Sequence, residues 1–327
     1  MPSLIIRPAA LRHNLVVMHD LCRKVGAECM FVFKEAPLHP ELVADILVRS
    51  PIRRLGLVAW PHASLPSVPG VELHHVYAPF PLLQEKAAAC SCVYVDSLFT
   101  LRLLSGNGSM NGPQLRLSLE VGDGRDGAYA EELPELCRKA RRAGLNLRGI
   151  AVNFACLSRD APTQEHLKEA SATLERIRSC CLPDADISAG GTDVLELATK
   201  HSLPADVREI RCGTGVMLGV YPLSGHAIPD AGQNAFRLEA HVLECRVKQG
   251  RRQALLDVGS FHTAPEGLRP PFQDMHLSGV SSAYASFDVT DCQENIVEGM
   301  KLSFGLDYHA LSRALSSQAL VFRREDA

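Results

Sequence analysis

Short apolar runs recur along the first two thirds of the chain, each followed by a more polar, amphipathic stretch. Runs at residues 28–34, 54–60, 73–77, 92–96, 115–121, 147–154, 185–188 and 209–211 are rich in Val, Ile, Leu and Phe. Continuous apolar runs of this length predict strands buried on both faces. Between them, residues 131–143 and 164–178 predict helices, and so do residues 8–18, where Leu11, Leu15 and Met18 recur at helical spacing. About eight strand–helix units in about 220 residues are what a (β/α)8 barrel needs. The predicted fold class is therefore α/β, with a TIM-type barrel over residues 8–222. An open doubly wound sheet is the competing architecture, but no Gly-x-Gly-x-x-Gly follows the first strand.

The texture changes after about Val220. Residues 221–233 are rich in Pro, Gly and polar side chains and read as a linker. Short β-like runs follow at 237–247, 253–258, 277–283, 286–289 and 301–304, with helical spacing only at 308–315. A second, smaller and mostly β domain is expected over 223–327, with residues 1–7 reading as a strand able to join it.

At 327 residues the chain can bury a barrel core and a smaller domain. Its 46% apolar and 22% charged residues are ordinary for a soluble globular protein. A net charge of -3 argues against a nucleic-acid surface, and Arg138-Lys139-Ala140-Arg141-Arg142 reads as the outer face of a helix. No apolar run approaches about 18 residues and no signal-like leader is present, so the expectation is a cytoplasmic protein without membrane contact. Among 11 cysteines only Cys90-Ser91-Cys92 and Cys180-Cys181 are tight pairs. With no Cys-x-x-Cys and no histidine cluster, the reading is a reducing compartment, small buried thiols such as Cys29 and Cys156, and no structural zinc.

The run Met30-Phe31-Val32-Phe33 ends in Lys34, and Pro37 and Pro40 then turn the chain into a helix from residue 40. Barrels keep their reacting groups at the ends of such strands; the alternative is a lysine that snorkels to solvent. After the seventh and eighth strands come Ser188-Ala189-Gly190-Gly191-Thr192-Asp193 and Arg211-Cys212-Gly213-Thr214-Gly215. Loops at this corner often hold phosphate, with glycines admitting the anion and threonine hydroxyls donating to it; two tight turns are the alternative. A strand-end lysine beside such a corner suggests pyridoxal 5'-phosphate, which needs a lysine for its aldehyde and an anion site. Arg211, always protonated, would donate to the ring nitrogen; a barrel-end salt bridge is its other reading.

These stretches resemble the alanine racemase-type, fold-type III pyridoxal-phosphate enzymes, and most closely the ornithine racemase-like branch. The resemblance runs through Ala10-Leu11-Arg12-His13-Asn14-Leu15, Phe31-Val32-Phe33-Lys34 and Leu119-Glu120-Val121-Gly122-Asp123-Gly124-Arg125-Asp126-Gly127. It continues with Gly149-Ile150-Ala151-Val152-Asn153-Phe154, Ser188-Ala189-Gly190-Gly191-Thr192, Arg211-Cys212-Gly213-Thr214-Gly215, Leu255-Leu256-Asp257-Val258-Gly259 and Asp307-Tyr308. It implies that Lys34 joins the cofactor and then moves a proton. Gly191, Thr192, Gly213, Thr214 and Tyr308 would bind phosphate, Arg211 the ring nitrogen, and Arg125 the phenolic oxygen and substrate carboxylate.

The chain departs from the family's pattern at three places. The phosphate-binding tyrosine that follows the family's lysine is missing from Lys34-Glu35-Ala36-Pro37-Leu38-His39. Asn153 replaces a histidine that faces the cofactor ring, and Ser260 stands where the family has its second catalytic tyrosine. For the base opposite Lys34, His262 is ranked first, then Tyr284 and Ser260. The resemblance implies a homodimeric racemase of a free, small-molecule amino acid, basic ones such as ornithine or lysine included. A non-catalytic pyridoxal-phosphate carrier and a lyase or decarboxylase are the other readings.

Overall fold

The computed structural model describes residues 1–77, 81–105 and 112–325. After β1 (Ser3–Ile6) and α1 (Pro8–Lys24), eight parallel strands close into a barrel. They are β2 (Glu28–Val32), β3 (Arg54–Leu57), β4 (Glu72–His75), β5 (Cys92–Val95), β6 (Gln114–Leu119), β7 (Leu147–Asn153), β8 (Asp186–Gly190) and β9 (Val207–Cys212), and β9 pairs back onto β2. The connecting helices are α2 (Pro40–Leu47), α3 (Gln84–Ala88), α4 (Leu98–Ser105), α5 (Leu133–Arg142), α6 (Gln164–Cys180), α7 (Asp193–Lys200) and α8 (Thr214–Leu218). Among the described residues, only the connection from β3 to β4 carries turns in place of a helix. Pro61, Pro66 and Pro69 account for that, since each removes a backbone donor. The barrel bears out the alternation read from the sequence.

Local chemistry explains the elements. In α5 the buried positions Leu133, Leu136, Cys137 and Ala140 follow three- and four-residue spacing, while Arg138, Lys139, Arg141 and Arg142 face solvent. Thr163 caps α6, its hydroxyl accepting from the His166 N–H at 3.2 Å. One expectation is corrected: the first barrel strand ends at Val32, two residues before Lys34. The Phe33 N–H still donates to the Gly56 carbonyl at 2.8 Å, but Ala36 N–H then folds back to the Phe33 carbonyl. Lys34 therefore sits in the turn that follows the strand.

Inside the barrel, alternation aims Glu209 and Arg211 of β9 inward, and the interior is unusually polar. Glu209, fully buried, accepts from Arg54 Nη1 at 2.8 Å and from the Ser188 hydroxyl at 2.6 Å. Arg116, also buried, lies 3.8 Å from the same carboxylate and pairs with Asp186. Burial alone would raise the Glu209 pKa; the charge of Arg116, with His74 and Arg54, instead holds it down at about 2.

The chain divides into two compact units, Arg12–Ala231 and Met1–Leu11 with Gly232–Ala327. In the second, β10 (Phe236–Lys248), β11 (Arg251–Leu256), β12 (Leu268–Arg269), β13 (His276–Val280), β14 (Ala285–Asp288) and β15 (Lys301–Leu306) pair in the order β12-β15-β10-β11-β14-β13. β1 pairs antiparallel with β10 and parallel with β16 (Val321–Arg324). Phe236, Leu238, Ala240 and Val242 alternate inward along β10. Gln249 and Gly250 make the β10–β11 hairpin with φ of 50° and 77°, the left-handed pair such a two-residue turn requires. Asp307 caps α9 (Tyr308–Ser316) by accepting from the Ala310 N–H at 2.7 Å.

Candidate active site

The carboxyl ends of the barrel strands gather the predicted residues of the first unit. The Lys34 Nζ lies 5.3 Å from the centre of the Tyr77 ring, and the Arg125 guanidinium carbon lies 4.8 Å from the same ring. Both distances suit cation–π contact. Trp60 Nε1 donates to the Lys34 carbonyl at 2.9 Å, pinning the turn. Arg125 is carried by a glycine-rich loop after β6. The Glu120 carboxylate accepts from the N–H groups of Gly122 and Gly124 at 2.6 and 3.0 Å, and both glycines have positive φ. Arg125 Nε donates to Asp126 and Nη1 to the Cys156 sulfur at 3.3 Å. Burial opposes its charge, but Asp126 outweighs that and raises its pKa.

Arg211 spends four of its five N–H donors on the barrel itself. Nη1 donates to the Ser188 carbonyl at 2.7 Å and hydroxyl at 2.8 Å; Nη2 donates to the Val152 carbonyl at 2.7 Å and to Asn153 Oδ1 at 2.6 Å. Nε–H is the donor left for a ligand. A Cβ on Gly190 would stand 2.9 Å from Arg211 Cζ and Nε, so a glycine is needed for the guanidinium to lie there. The Ser188 hydroxyl joins Arg211 to Glu209, and the Tyr94 ring centre is 5.2 Å from the guanidinium.

At the neighbouring corner the buried Thr192 hydroxyl accepts from the Gly215 N–H at 3.1 Å, which locks the loop after β8 to the start of α8. Gly213 and Thr214 are half-buried there, beside Gly191. A Cβ on Gly213 would meet the Val32 carbonyl at 3.1 Å, so this loop packs directly on the end of β2. In the second unit Tyr308 opens α9. Ser260 and His262 lie in the turn after β11, where the Ser260 N–H donates to the Ser281 carbonyl at 3.0 Å. His262 Nδ1 accepts from the Gly259 N–H at 3.0 Å, which puts the proton of the neutral ring on Nε2. Burial pushes the His262 pKa down, and Tyr284 is 47% exposed.

Beside Lys34 a cavity of about 610 Å³ is lined by Trp60, His75, Tyr77, Asp96, Phe99, Arg125 and Asp126 among others. His75 Nε2 accepts from the Ala59 N–H at 3.2 Å and its Nδ1 donates to the Tyr77 carbonyl at 2.6 Å. Burial pushes its pKa down, in keeping with a neutral ring. Sequence reasoning did not single out Tyr77, Trp60 or Asp96. Tyr77 and Asp96 do close predicted strands, the positions where barrels place chemistry, and that signal could have found them.

Among the described residues, Asn153 Nδ2 and Arg125 Nη2 are buried donors with no hydrogen-bond partner. Leaving such a donor unmet costs about 1–3 kcal/mol, more for a charged one. The chemistry of the site therefore calls for a ligand rich in acceptors. Among the described residues no helix is long and apolar enough to cross a membrane.

Comparison with known proteins gives one family and several relatives. The alanine racemase N-terminal domain matches residues 6–222. An ornithine racemase of Acetoanaerobium sticklandii is 23% identical over 227 residues, covering 62% of this chain and 64% of that protein. A lysine racemase of Thermotoga maritima is 25% identical over 222 residues, covering 61% of this chain and 62% of that protein. The chain thus spans a little under two thirds of the length of these two relatives. The structure of alanine racemase from Bartonella henselae with covalently bound pyridoxal phosphate superposes with a TM-score of 0.71 at 13% identity, covering 100% of this chain and 99% of that one, a likeness of fold. With two thirds of its length matched, closed barrel included, this chain belongs to the alanine racemase N-terminal domain family.

Proposed function

We propose that the protein is a pyridoxal 5'-phosphate-dependent racemase of a free amino acid with a basic side chain. One observation carries the reading: the only N–H that Arg211 leaves uncommitted and the two orphaned donors of Asn153 and Arg125 belong to the barrel rim that also carries Lys34. These residues fit the cofactor. Lys34 would join its aldehyde, Arg211 Nε–H would donate to its ring nitrogen, and Thr192, Gly213, Thr214 and Gly191 would hold its phosphate. Asn153 Nδ2 and Arg125 Nη2 would meet its phenolic oxygen and the substrate carboxylate. When bound, the group supplies an electron sink that makes the Cα proton of an amino acid removable near neutral pH.

The chain's own residues do the rest. Lys34 Nζ takes or returns the proton on one face of Cα. Arg211 is permanently cationic and fixed by four hydrogen bonds, so it keeps donating without accepting a proton. Arg125, held by Asp126, orients the substrate carboxylate. Asp96 lines the cavity, its Oδ1 accepting from Thr100 Oγ1 at 2.5 Å, and its carboxylate would pair with a cationic side chain such as that of ornithine or lysine. For the opposite face, Tyr284 ranks ahead of His262 and Ser260, because Gly259 occupies the Nδ1 lone pair of His262 and its Nε2 carries a proton. A homodimer in which the second unit of one subunit completes the barrel site of the other supplies that base.

The test begins with borohydride reduction in the presence of pyridoxal 5'-phosphate. Peptide mass spectrometry finds the pyridoxyl label on Lys34, and Lys34→Ala loses it. Single enantiomers of ornithine and lysine in D2O then lose optical rotation as Cα gains deuterium. No label at Lys34 overturns the cofactor reading; deuteration without inversion leaves the cofactor in place and removes the racemase.

A further inference from the structure

Cys22 near the end of α1, Cys29 on β2 and Cys212 at the end of β9 lie far apart in the chain, yet their three sulfurs lie within 4.8 Å of one another. All three side chains are buried, at 0%, 4% and 0% exposure. Strand alternation explains the convergence: with Glu209 and Arg211 aimed into the barrel, Cys212 faces outward to the helix layer, where α1 brings Cys22. Cys90 and Cys245 turn their thiols to backbone carbonyls, and Cys180 lies 2.9 Å from its chain neighbour Cys181, whereas Cys22 turns its sulfur to that of Cys212, 190 residues away, at 4.0 Å.

We propose that Cys22, Cys29 and Cys212 form a three-sulfur site for one thiophilic metal ion, Cu(I) by coordination preference. Three thiolates about 2.3 Å from a central ion in a trigonal plane stand about 4.0 Å apart, against about 3.8 Å for a tetrahedron. The Cys22–Cys212 separation of 4.0 Å, with all three sulfurs within 4.8 Å of one another, is of the size either arrangement needs. Among the described residues no fourth histidine, cysteine or carboxylate joins the group, as a structural zinc site would require. An all-sulfur set selects soft ions, Cu(I) foremost. Binding forms three S–Cu bonds, releases three thiol protons to solvent and leaves the oxidation state of copper unchanged. The positive charge of Arg211, next to Cys212, offsets part of the negative charge of the thiolates. The ion would tie α1 to the first and last barrel strands.

This site is independent of the pyridoxal phosphate reading and is tested without activity. Reduced protein is titrated anaerobically with Cu(I) against bicinchoninate. The wild-type chain is expected to withdraw one more equivalent than Cys22→Ala, and its thermal midpoint to rise on loading. In the wild type alone, alkylation after rapid unfolding, mapped by mass spectrometry, finds Cys22, Cys29 and Cys212 protected together by copper. Equal uptake by wild type and Cys22→Ala overturns the proposal. So does protection confined to other thiols such as Cys137, Cys180 and Cys181. If Cys22→Ala fails to fold, the protection map in the wild type decides.

Discussion

Gly190→Ala tests whether the Arg211 guanidinium is held where the barrel interior places it. The added Cβ would come 2.9 Å from Cζ and Nε of Arg211, against about 3.5–4.0 Å for an unstrained contact. The guanidinium must therefore retreat by roughly 0.5–1 Å, and its four bonds of 2.6–2.8 Å cannot all survive. Overpacking of this kind costs about 1–3 kcal/mol, and each lost hydrogen bond to a charged group costs about 1.5–3 kcal/mol. A destabilisation of about 3 kcal/mol is expected. In an Arg211→Ala background the same substitution costs under about 1 kcal/mol, because the three atoms nearest the new Cβ all belong to Arg211. Urea unfolding of the four proteins gives a coupling of about 2 kcal/mol. Affinity for pyridoxal 5'-phosphate falls at least about tenfold in Gly190→Ala, about 1.4 kcal/mol. Equal cost of Gly190→Ala in both backgrounds would refute the argument.

Three further outcomes follow from the same geometry. The carboxyl of Glu209 titrates near about 2, below the ordinary value of about 4.3, so its stabilisation is fully present above the ordinary value and is lost as pH falls toward 2. Glu209→Gln, which leaves Arg116 and Arg54 without their shared carboxylate, should cost about 3 kcal/mol at pH 7 and flatten acid unfolding in that window, as followed by circular dichroism. Asp96→Asn should raise KM for ornithine or lysine roughly fivefold, about 1 kcal/mol, and leave KM for alanine unchanged; an equal change for all three would remove Asp96 from side-chain recognition. Tyr284→Phe should stop inversion while Cα deuteration persists, with His262→Gln close to wild type; the reverse pattern would return the opposite-face role to His262.

The sequence by itself determined the barrel. Eight apolar runs alternate with amphipathic stretches, and because strand burial on two faces and helix burial on one leave different periods, their order was readable without any tertiary contact. The change of texture after about Val220 likewise announced a mostly β unit. The lysine, the two glycine–threonine loops and Arg211 were legible because strand ends and glycines carry meaning in the linear chain. What only the tertiary structure decided is which groups meet, since meeting depends on register and closure rather than on spacing. Closure of β9 onto β2 is what sets Gly213 against Val32, and strand alternation is what sends Arg211 inward and Cys212 outward. The meeting of Tyr77 with Lys34 and Arg125 joins loops after strands distant in sequence, and the Glu209–Ser188–Arg211 chain depends on how β8 and β9 are registered, so no local pattern could announce these contacts. The end of β2 at Val32 was decided the same way: the turn bond from Ala36 to Phe33 outweighs an apolar pattern that runs on to Lys34.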